Sequence, residues 1–226
     1  MRKYNLTSRV FLSLLVCGLL TLKSYGATQE EKYVYESSLT TGLEFQAYHV
    51  KYNDYFWNDT TKLKTEGYGF NLGLEWIPLV SVFGKVAAST GIGFATIKDA
   101  DVSTSSTATL YNVPVNAGLT YRADFFKNQV LVPFTSFGLD FGFSTQASKT
   151  GDTRGGVRLY KGYYYSAGVE LCLNSFDSRS GRELDSRYGI NGVYFTGLFF
   201  HSEPLSKTET VNLGHEEFRV GLRFEI

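Results

Sequence analysis

The run His201-Ser202-Glu203 combines the three side-chain types of a serine hydrolase, in which a histidine takes the serine proton and a carboxylate orients the histidine. The spacing argues against this chemistry. Neighbouring residues of a strand point to opposite faces, so His201 and Ser202 converge only if they lie in a loop. The other histidines, His49 and His215, add no metal-ligand spacing. We therefore expect no enzyme, no metal and no cofactor.

A second candidate set consists of charged and amide side chains that fall on one face of alternating segments. Acidic and basic groups occur there in similar numbers, and buried charges persist only when they are paired. We expect these side chains to form a network of ion pairs and hydrogen bonds in the interior. A narrow path for ions or small solutes, lined by the same residues, is the alternative. The set is Glu44, Gln46, Glu75, Lys85, Arg122, Asp140, Glu170, Arg219, Arg223 and Glu225.

Four aromatic residues form a third set, within a polar segment at 51–66 that is predicted to be a loop. They are Tyr52, Tyr55, Phe56 and Trp57. Exposed aromatic clusters either anchor a protein at a membrane interface or contact a partner. We favour anchoring, and the sequence names no surface ligand. Cys172 is expected to be a small interior side chain rather than a nucleophile.

The elements that position these residues show a period of two, which places alternate side chains on opposite faces of a strand. In residues 218–226, for example, large apolar side chains alternate with arginine, glycine and glutamate. The pattern predicts strands over 39–50, 68–76, 84–97, 110–122, 136–143, 163–173, 189–201 and 218–226. Pro114 and Pro133 fall near predicted strand starts, where a missing N–H donor does least harm.

The connections between these strands alternate in length. Long polar segments follow every odd strand, at 51–66, 98–109, 146–159 and 202–215. Shorter links at 77–83 and 123–132 follow the second and fourth strands, whereas 174–188 is longer and predicts a short helix over 180–185. An even number of strands with short turns at one end and long loops at the other is typical of bacterial outer-membrane barrels.

The two strand faces differ in a way that favours a lipid-facing wall. One face has Phe, Leu, Val, Tyr and Trp, and the other mainly Gly, Ser, Ala, Asn and Thr with scattered charges. A soluble barrel would need a hydrated outer face, whereas small side chains suit the narrow interior of eight strands. We therefore predict an all-β fold, a closed antiparallel transmembrane β-barrel of eight strands with up-and-down topology, because open edges in lipid are costly.

The N-terminal segment predicts export. Arg2, Lys3 and Arg9 precede an apolar stretch at 10–22, so residues 1–26 are predicted to be a signal peptide and 27–226 the barrel domain. We expect a bacterial outer-membrane location with both termini periplasmic. The expected partners are outer-membrane lipid, lipopolysaccharide and the barrel assembly machinery, with a monomeric protein. Removing the signal leaves more acidic than basic residues, which excludes nucleic-acid binding.

This layout resembles the small OmpA/OmpX-type outer-membrane barrels. Two stretches give a sharper likeness: 124–134 (DFFKNQVLVPF) and 163–195, which contains AGVELCLNSFDSRSGRELDSRYGINGVYF. They look like the myxobacterial-type outer-membrane β-barrel family, whose members have a similar LD..YGIN..Y segment after an inner turn. The resemblance implies fold and location but no chemistry. One departure is Ile226 at the end of the last strand, where an aromatic residue is common, although Phe224 lies on the same face.

The sequence therefore predicts an outer-membrane barrel with a structural or surface-interaction role and a lumen filled by polar and charged side chains. A narrow channel is the alternative. A lipid-modifying outer-membrane enzyme ranks third.

Overall fold

Residues of alternating polarity form eight long strands in the computed structural model. It describes residues 40–55, 63–100, 107–126, 129–148, 157–205 and 214–226. The strands are β1 (Thr40–Tyr55), β2 (Leu63–Ser81), β3 (Gly84–Ala100), β4 (Thr107–Arg122), β5 (Leu131–Ser148), β6 (Arg158–Cys172), β7 (Gly192–Pro204) and β8 (His215–Glu225). A 3₁₀ turn (Leu173–Ser175) and a helix, α1 (Ser178–Tyr188), connect β6 to β7. The predicted signal peptide lies outside the described residues.

The sheet is a closed barrel in which each strand pairs antiparallel with the next, and β8 pairs with β1. The closing register runs from Gly42 opposite Glu225 to Tyr52 opposite His215. Thr41 and Ile226 exchange two backbone hydrogen bonds of 2.9 and 2.8 Å at one end of the barrel, here called the terminus end. The predicted eight-stranded, up-and-down antiparallel barrel is confirmed.

The strands are longer than the apolar pattern indicates. β5 has 18 residues, and β2 has 19 because its backbone ladder continues where outward side chains become charged. Lys51 and Glu66 illustrate this, since they are paired residues of β1 and β2 whose charged groups lie 3.6 Å apart. Lys51 lies near the finish of β1, and the end of the barrel at which β1, β3, β5 and β7 finish is here called the loop end.

Pro114 lies in the middle of β4 rather than near its start, so that prediction is wrong. The ladder to β3 is interrupted there, between the pairs Ile92–Val115 and Ala95–Asn112, because proline has no N–H to donate. A Cβ added to Gly93 would lie 3.0 Å from the proline ring, so glycine makes room for it. Pro133 does lie near a strand start, as the third residue of β5.

Helix α1 at the terminus end is longer than the predicted 180–185. The Asp177 carboxylate caps its N-terminus by accepting hydrogen bonds from the backbone N–H groups of Arg179 and Ser180. Gly189 ends it with a φ of 68°, the left-handed conformation that favours glycine at this position. Among the described residues, no helix is long and apolar enough to cross a membrane.

The two faces of the wall are sharply different. Outward positions on neighbouring strands are large and apolar, and the Phe137 side chain is 63% exposed. Inward positions are buried and mostly polar, and Glu170 is 0% exposed. The interior of this barrel is therefore packed with side chains, most of them polar, and a large apolar surface lies outside.

Candidate functional site

Four charged side chains meet across the lumen near the terminus end. We call Glu75, Arg122, Glu170 and Arg223 the charged quartet; they come from β2, β4, β6 and β8, which are every second strand around the wall. Arg122 contacts Glu75 at 2.7 Å and Glu170 at 2.9 Å. Arg223 contacts the same two carboxylates at 3.0 and 3.4 Å. The quartet is therefore a closed ring of alternating charges that extends across the bore.

The geometry explains why arginine rather than lysine occupies both basic positions. A guanidinium has several donors in a planar fork, so each arginine can bind two carboxylates at once. Taking these charges out of water is costly, and the cost is offset only when partners surround them. The quartet has no net charge. Gly42 leaves space for it, because a Cβ there would lie 3.0 Å from a Glu75 oxygen.

A second group extends this network toward the terminus end. The Lys85 ammonium lies 2.7 Å from Glu225 and 3.3 Å from Asp124. Glu225 also accepts a 3.1 Å hydrogen bond from Arg223, which joins the two groups. The Arg223 guanidinium lies over the Tyr194 ring at 4.8 Å. This end of the lumen is thus a continuous ion-pair network.

A third charged group lies on the loop-end side of the bore. Arg219 donates a 2.5 Å hydrogen bond to Glu217, and its guanidinium lies 3.9 Å from the centre of the Phe200 ring. Asp140 accepts a 2.6 Å hydrogen bond from Ser202, with the His215 ring 4.0 Å away. A chamber of about 40 Å³ separates this group from the charged quartet.

Apolar and tyrosine side chains fill the lumen toward the loop end. This apolar layer consists of Tyr48, Val50, Tyr52, Ala95, Ile97, Leu110 and Tyr160. Two of its tyrosine hydroxyls are tied to the wall, since Tyr52 accepts a 3.1 Å hydrogen bond from Asn112 and Tyr160 shares one of 2.9 Å with Ser202. Together with the charged quartet, this layer leaves little free space along the bore.

Tyr52 is therefore misplaced in the predicted surface set. It is 1% exposed and points into the lumen, because β1 continues to Tyr55 and Tyr52 has the same parity as Tyr48 and Val50. The prediction that it lies exposed in a loop is wrong. The Tyr55 side chain, Phe56 and Trp57 lie outside the described residues.

The ten residues predicted for the lumen lie on inward positions. Glu44 and Gln46 line the chamber, and the other eight belong to the three charged groups. Glu217 and Asp124, which the strand pattern does not predict for the lumen, belong to the same network. Glu217 has the inward parity of Arg219, but the predicted strand began one residue after it.

The wall separates the residues of the apparent hydrolase run. His201 and Glu203 point outward, with 3.2 Å between their ring nitrogen and carboxylate oxygen. Ser202 points inward and shares hydrogen bonds with Asp140 and Tyr160. A proton transfer from Ser202 to His201 is therefore excluded by geometry. In the part of the chain that the structure describes, no three His, Cys, Asp or Glu side chains are arranged to hold a metal ion.

Comparison with known proteins finds similarity of fold only. No protein-family model matches the chain and no curated protein matches its sequence, so the resemblance to the myxobacterial-type family is not confirmed. The outer-membrane protein OprG from Pseudomonas aeruginosa is 11% identical, with 83% of this chain and 95% of that chain covered and a TM-score of 0.51. The likeness is one of fold.

Two further solved structures have lower TM-scores. Neisserial surface protein A is 13% identical, with 83% of this chain and 97% of that chain covered and a TM-score of 0.49. The outer membrane enzyme PagL is 17% identical, with 80% and 98% covered and a TM-score of 0.42. Because one fold hosts many functions, the function has to be argued from the side chains.

Proposed function

We propose that this chain is an outer-membrane protein that does not conduct through its lumen and whose role is structural or performed at the loop-end surface. The proposal rests on one observation. The charged quartet spans the bore with alternating charges, and the apolar layer fills the bore on the other side of the chamber.

The outward face supports a membrane location. Phe70, Leu74, Phe137 and Phe199 belong to a continuous band of exposed large apolar side chains around the barrel. Soluble monomers rarely expose apolar patches of more than a few hundred Å². Closure of the sheet also satisfies the backbone donors and acceptors that would be unpaired at an open edge in hydrocarbon.

The topology suggests an orientation for the proposed membrane protein. The two ends of the described barrel and the two-residue turn between β2 and β3 share the terminus end. Short turns of bacterial outer-membrane barrels face the periplasm and longer loops face outward. We assign the terminus end to the periplasm, with lipopolysaccharide and the assembly machinery as expected partners of a monomer.

The energetics of the quartet favour a closed lumen over a narrow channel. Within the quartet, each arginine contacts both carboxylates, and all four side chains are buried. Breaking a buried ion pair by removing one partner costs about 3–5 kcal/mol, so an ion cannot easily displace a guanidinium from this ring. A conducting path would also have to pass the apolar layer, which offers few polar groups to a hydrated ion.

Conductance in planar lipid bilayers tests the proposal. We expect no stable single-channel steps from the wild-type protein. A heat-dependent shift in gel migration, measured on the same preparation, shows that the barrel has folded. The absence of conductance then reflects a closed lumen. Stable wild-type steps that disappear in Arg223→Glu but persist in Arg187→Glu, a change on exposed α1, would contradict the proposal and favour a narrow ion path.

A further inference from the structure

The Glu44 carboxyl group lies in the lumen without an ion-pair partner among the described residues. It lies on β1 beside the charged quartet, opposite Arg223 in the sheet register. The charged groups that act on it are the four quartet members, two carboxylates and two guanidiniums, whose effects oppose one another. Among the described residues, no hydrogen bond or ion pair joins Glu44 to another side chain.

Glu44 lines the chamber between the charged quartet and the third charged group, which contains Arg219 and Glu217. Other polar atoms without a hydrogen-bond partner face the same space. Asn71 is 5% exposed and its side-chain oxygen has no hydrogen-bond partner. A Cβ added to Gly73 would lie 3.3 Å from a Glu44 oxygen. A Cβ added to Gly91 would lie 3.1 Å from the Asn71 oxygen and 2.9 Å from that of Asn116. These two glycines therefore leave room beside the oxygen atoms.

The volume of the chamber limits what it can hold. It measures about 40 Å³, and one water needs roughly 10–15 Å³ by the same kind of measure. About three water-sized species therefore fit. The Arg122 Nη1 and Asn116 Nδ2 atoms have no hydrogen-bond partner, and water is the occupant that can accept from them.

We propose that the chamber binds one small monovalent cation of the sodium class through the Glu44 carboxylate and the Asn71 side-chain oxygen, with water completing its coordination. Carboxylate and amide oxygens are the ligands that hard cations prefer. A single carboxylate matches one positive charge, whereas calcium sites gain affinity from additional carboxylates. The hydroxyls of Ser89, Thr120 and Ser136 line the same space.

The charge of the whole lumen supports a bound cation. Its described carboxylates outnumber its lysine and arginine side chains. The acidic residues are Glu44, Glu75, Asp124, Asp140, Glu170, Glu217 and Glu225, and the basic ones are Lys85, Arg122, Arg219 and Arg223. Asp140 and Glu217 also contact the ring of His215, at 4.0 and 3.1 Å. Among the lumen carboxylates described here, Glu44 is therefore the one without a contact to a lysine, arginine or histidine, and buried charge requires compensation.

Unfolding in different chloride salts of equal ionic strength tests the site. The folded barrel in detergent micelles is compared in sodium chloride and choline chloride, since choline is too large for the chamber. With sodium at about ten times its dissociation constant, the unfolding equilibrium constant is expected to fall about tenfold. Glu44→Gln should remove the difference between the salts. Glu66→Gln, which alters an exposed outward carboxylate, should keep it.

Two further measurements keep the proposal open to refutation. Excess relaxation of the sodium nuclear resonance on adding wild-type protein reports binding directly, even if Glu44→Gln fails to fold. Asn71→Asp adds a second carboxylate and should shift the preference toward calcium.

Equal wild-type stability in the two salts at both acidic and alkaline pH, with no excess relaxation, would mean that the chamber holds only water. This result would leave the proposed closed lumen unaffected, because conductance is measured independently.

Discussion

Replacing Arg122 with methionine removes one cation from the charged quartet while keeping a side chain of similar length. Arg122 is 2% exposed and donates hydrogen bonds to Glu75 and Glu170 at 2.7 and 2.9 Å. In the variant, both carboxylates share Arg223 alone. Removing one partner from a buried ion pair costs about 3–5 kcal/mol, which is the destabilisation we expect.

A double-mutant cycle tests whether the loss comes from unpaired charge. Glu170→Gln removes one carboxylate, so the variant with both changes again has equal numbers of quartet charges. The cost of the double variant should be below the sum of the two single costs by about 0.5–3 kcal/mol, the range for residues in one network. Additive costs would mean that the two residues act independently.

Urea titration of the folded barrel, followed by tryptophan fluorescence, measures these free energies of unfolding. Arg187→Met is the matched control, because Arg187 forms an ion pair with Glu183 at 3.0 Å but is 67% exposed. Exposed pairs contribute about 0–1 kcal/mol. If Arg122→Met and Arg187→Met cost the same, with unchanged dependence on urea concentration, our view of the quartet is refuted.

Two further predictions concern the outer wall and the terminus end. Leu139→Arg, at an outward position in the middle of β5, should cost about 2–4 kcal/mol in lipid vesicles, whereas Asp140→Asn on the inward side should cost less. Equal losses of stability in the two variants would contradict the outward position of Leu139 and the inward position of Asp140. Hydrogen bonds from the Ser180 hydroxyl and from the backbone N–H groups of Ser180 and Arg179 hold the pKa of the Asp177 carboxyl below its usual range. The cap therefore stabilises α1 at neutral pH and is lost as pH falls through that lowered pKa. Amide exchange at Arg179, corrected for its intrinsic pH dependence, should then accelerate in the wild type but not in Asp177→Asn.

Period-two alternation was enough to predict the barrel because it reports directly which side chains share a face. It failed at the loop end, where outward residues such as Lys51 and Glu66 are charged and the contrast between the faces disappears. The pattern consequently places Tyr52 in a loop and Glu217 outside β8, whereas both lie in strands. Aromatic content alone cannot distinguish an exposed tyrosine from one that packs inside a barrel.

The composition of the lumen could be predicted, but its pairing could not. Arg122 and Glu170 are 48 residues apart, and their contact depends on the register of the intervening strands. The chamber depends on the same three-dimensional detail, since Gly73 and Gly91 leave space only because of what lies opposite them. Pro114 also depends on three-dimensional context. Local rules predict a proline near a strand start, but the interrupted ladder between β3 and β4 accommodates it in the middle of β4.

The position of Arg223 on β8 has a consequence for assembly. β8 follows the other strands in the chain and joins β1 to close the cylinder. Before β8 docks, Glu75 and Glu170 face a partly formed interior with Arg122 as the sole cation of the quartet. The strand whose pairing with β1 closes the cylinder is therefore also the strand that provides the second guanidinium. A sheet that lacked β8 would therefore be open and would also have two quartet carboxylates for one guanidinium.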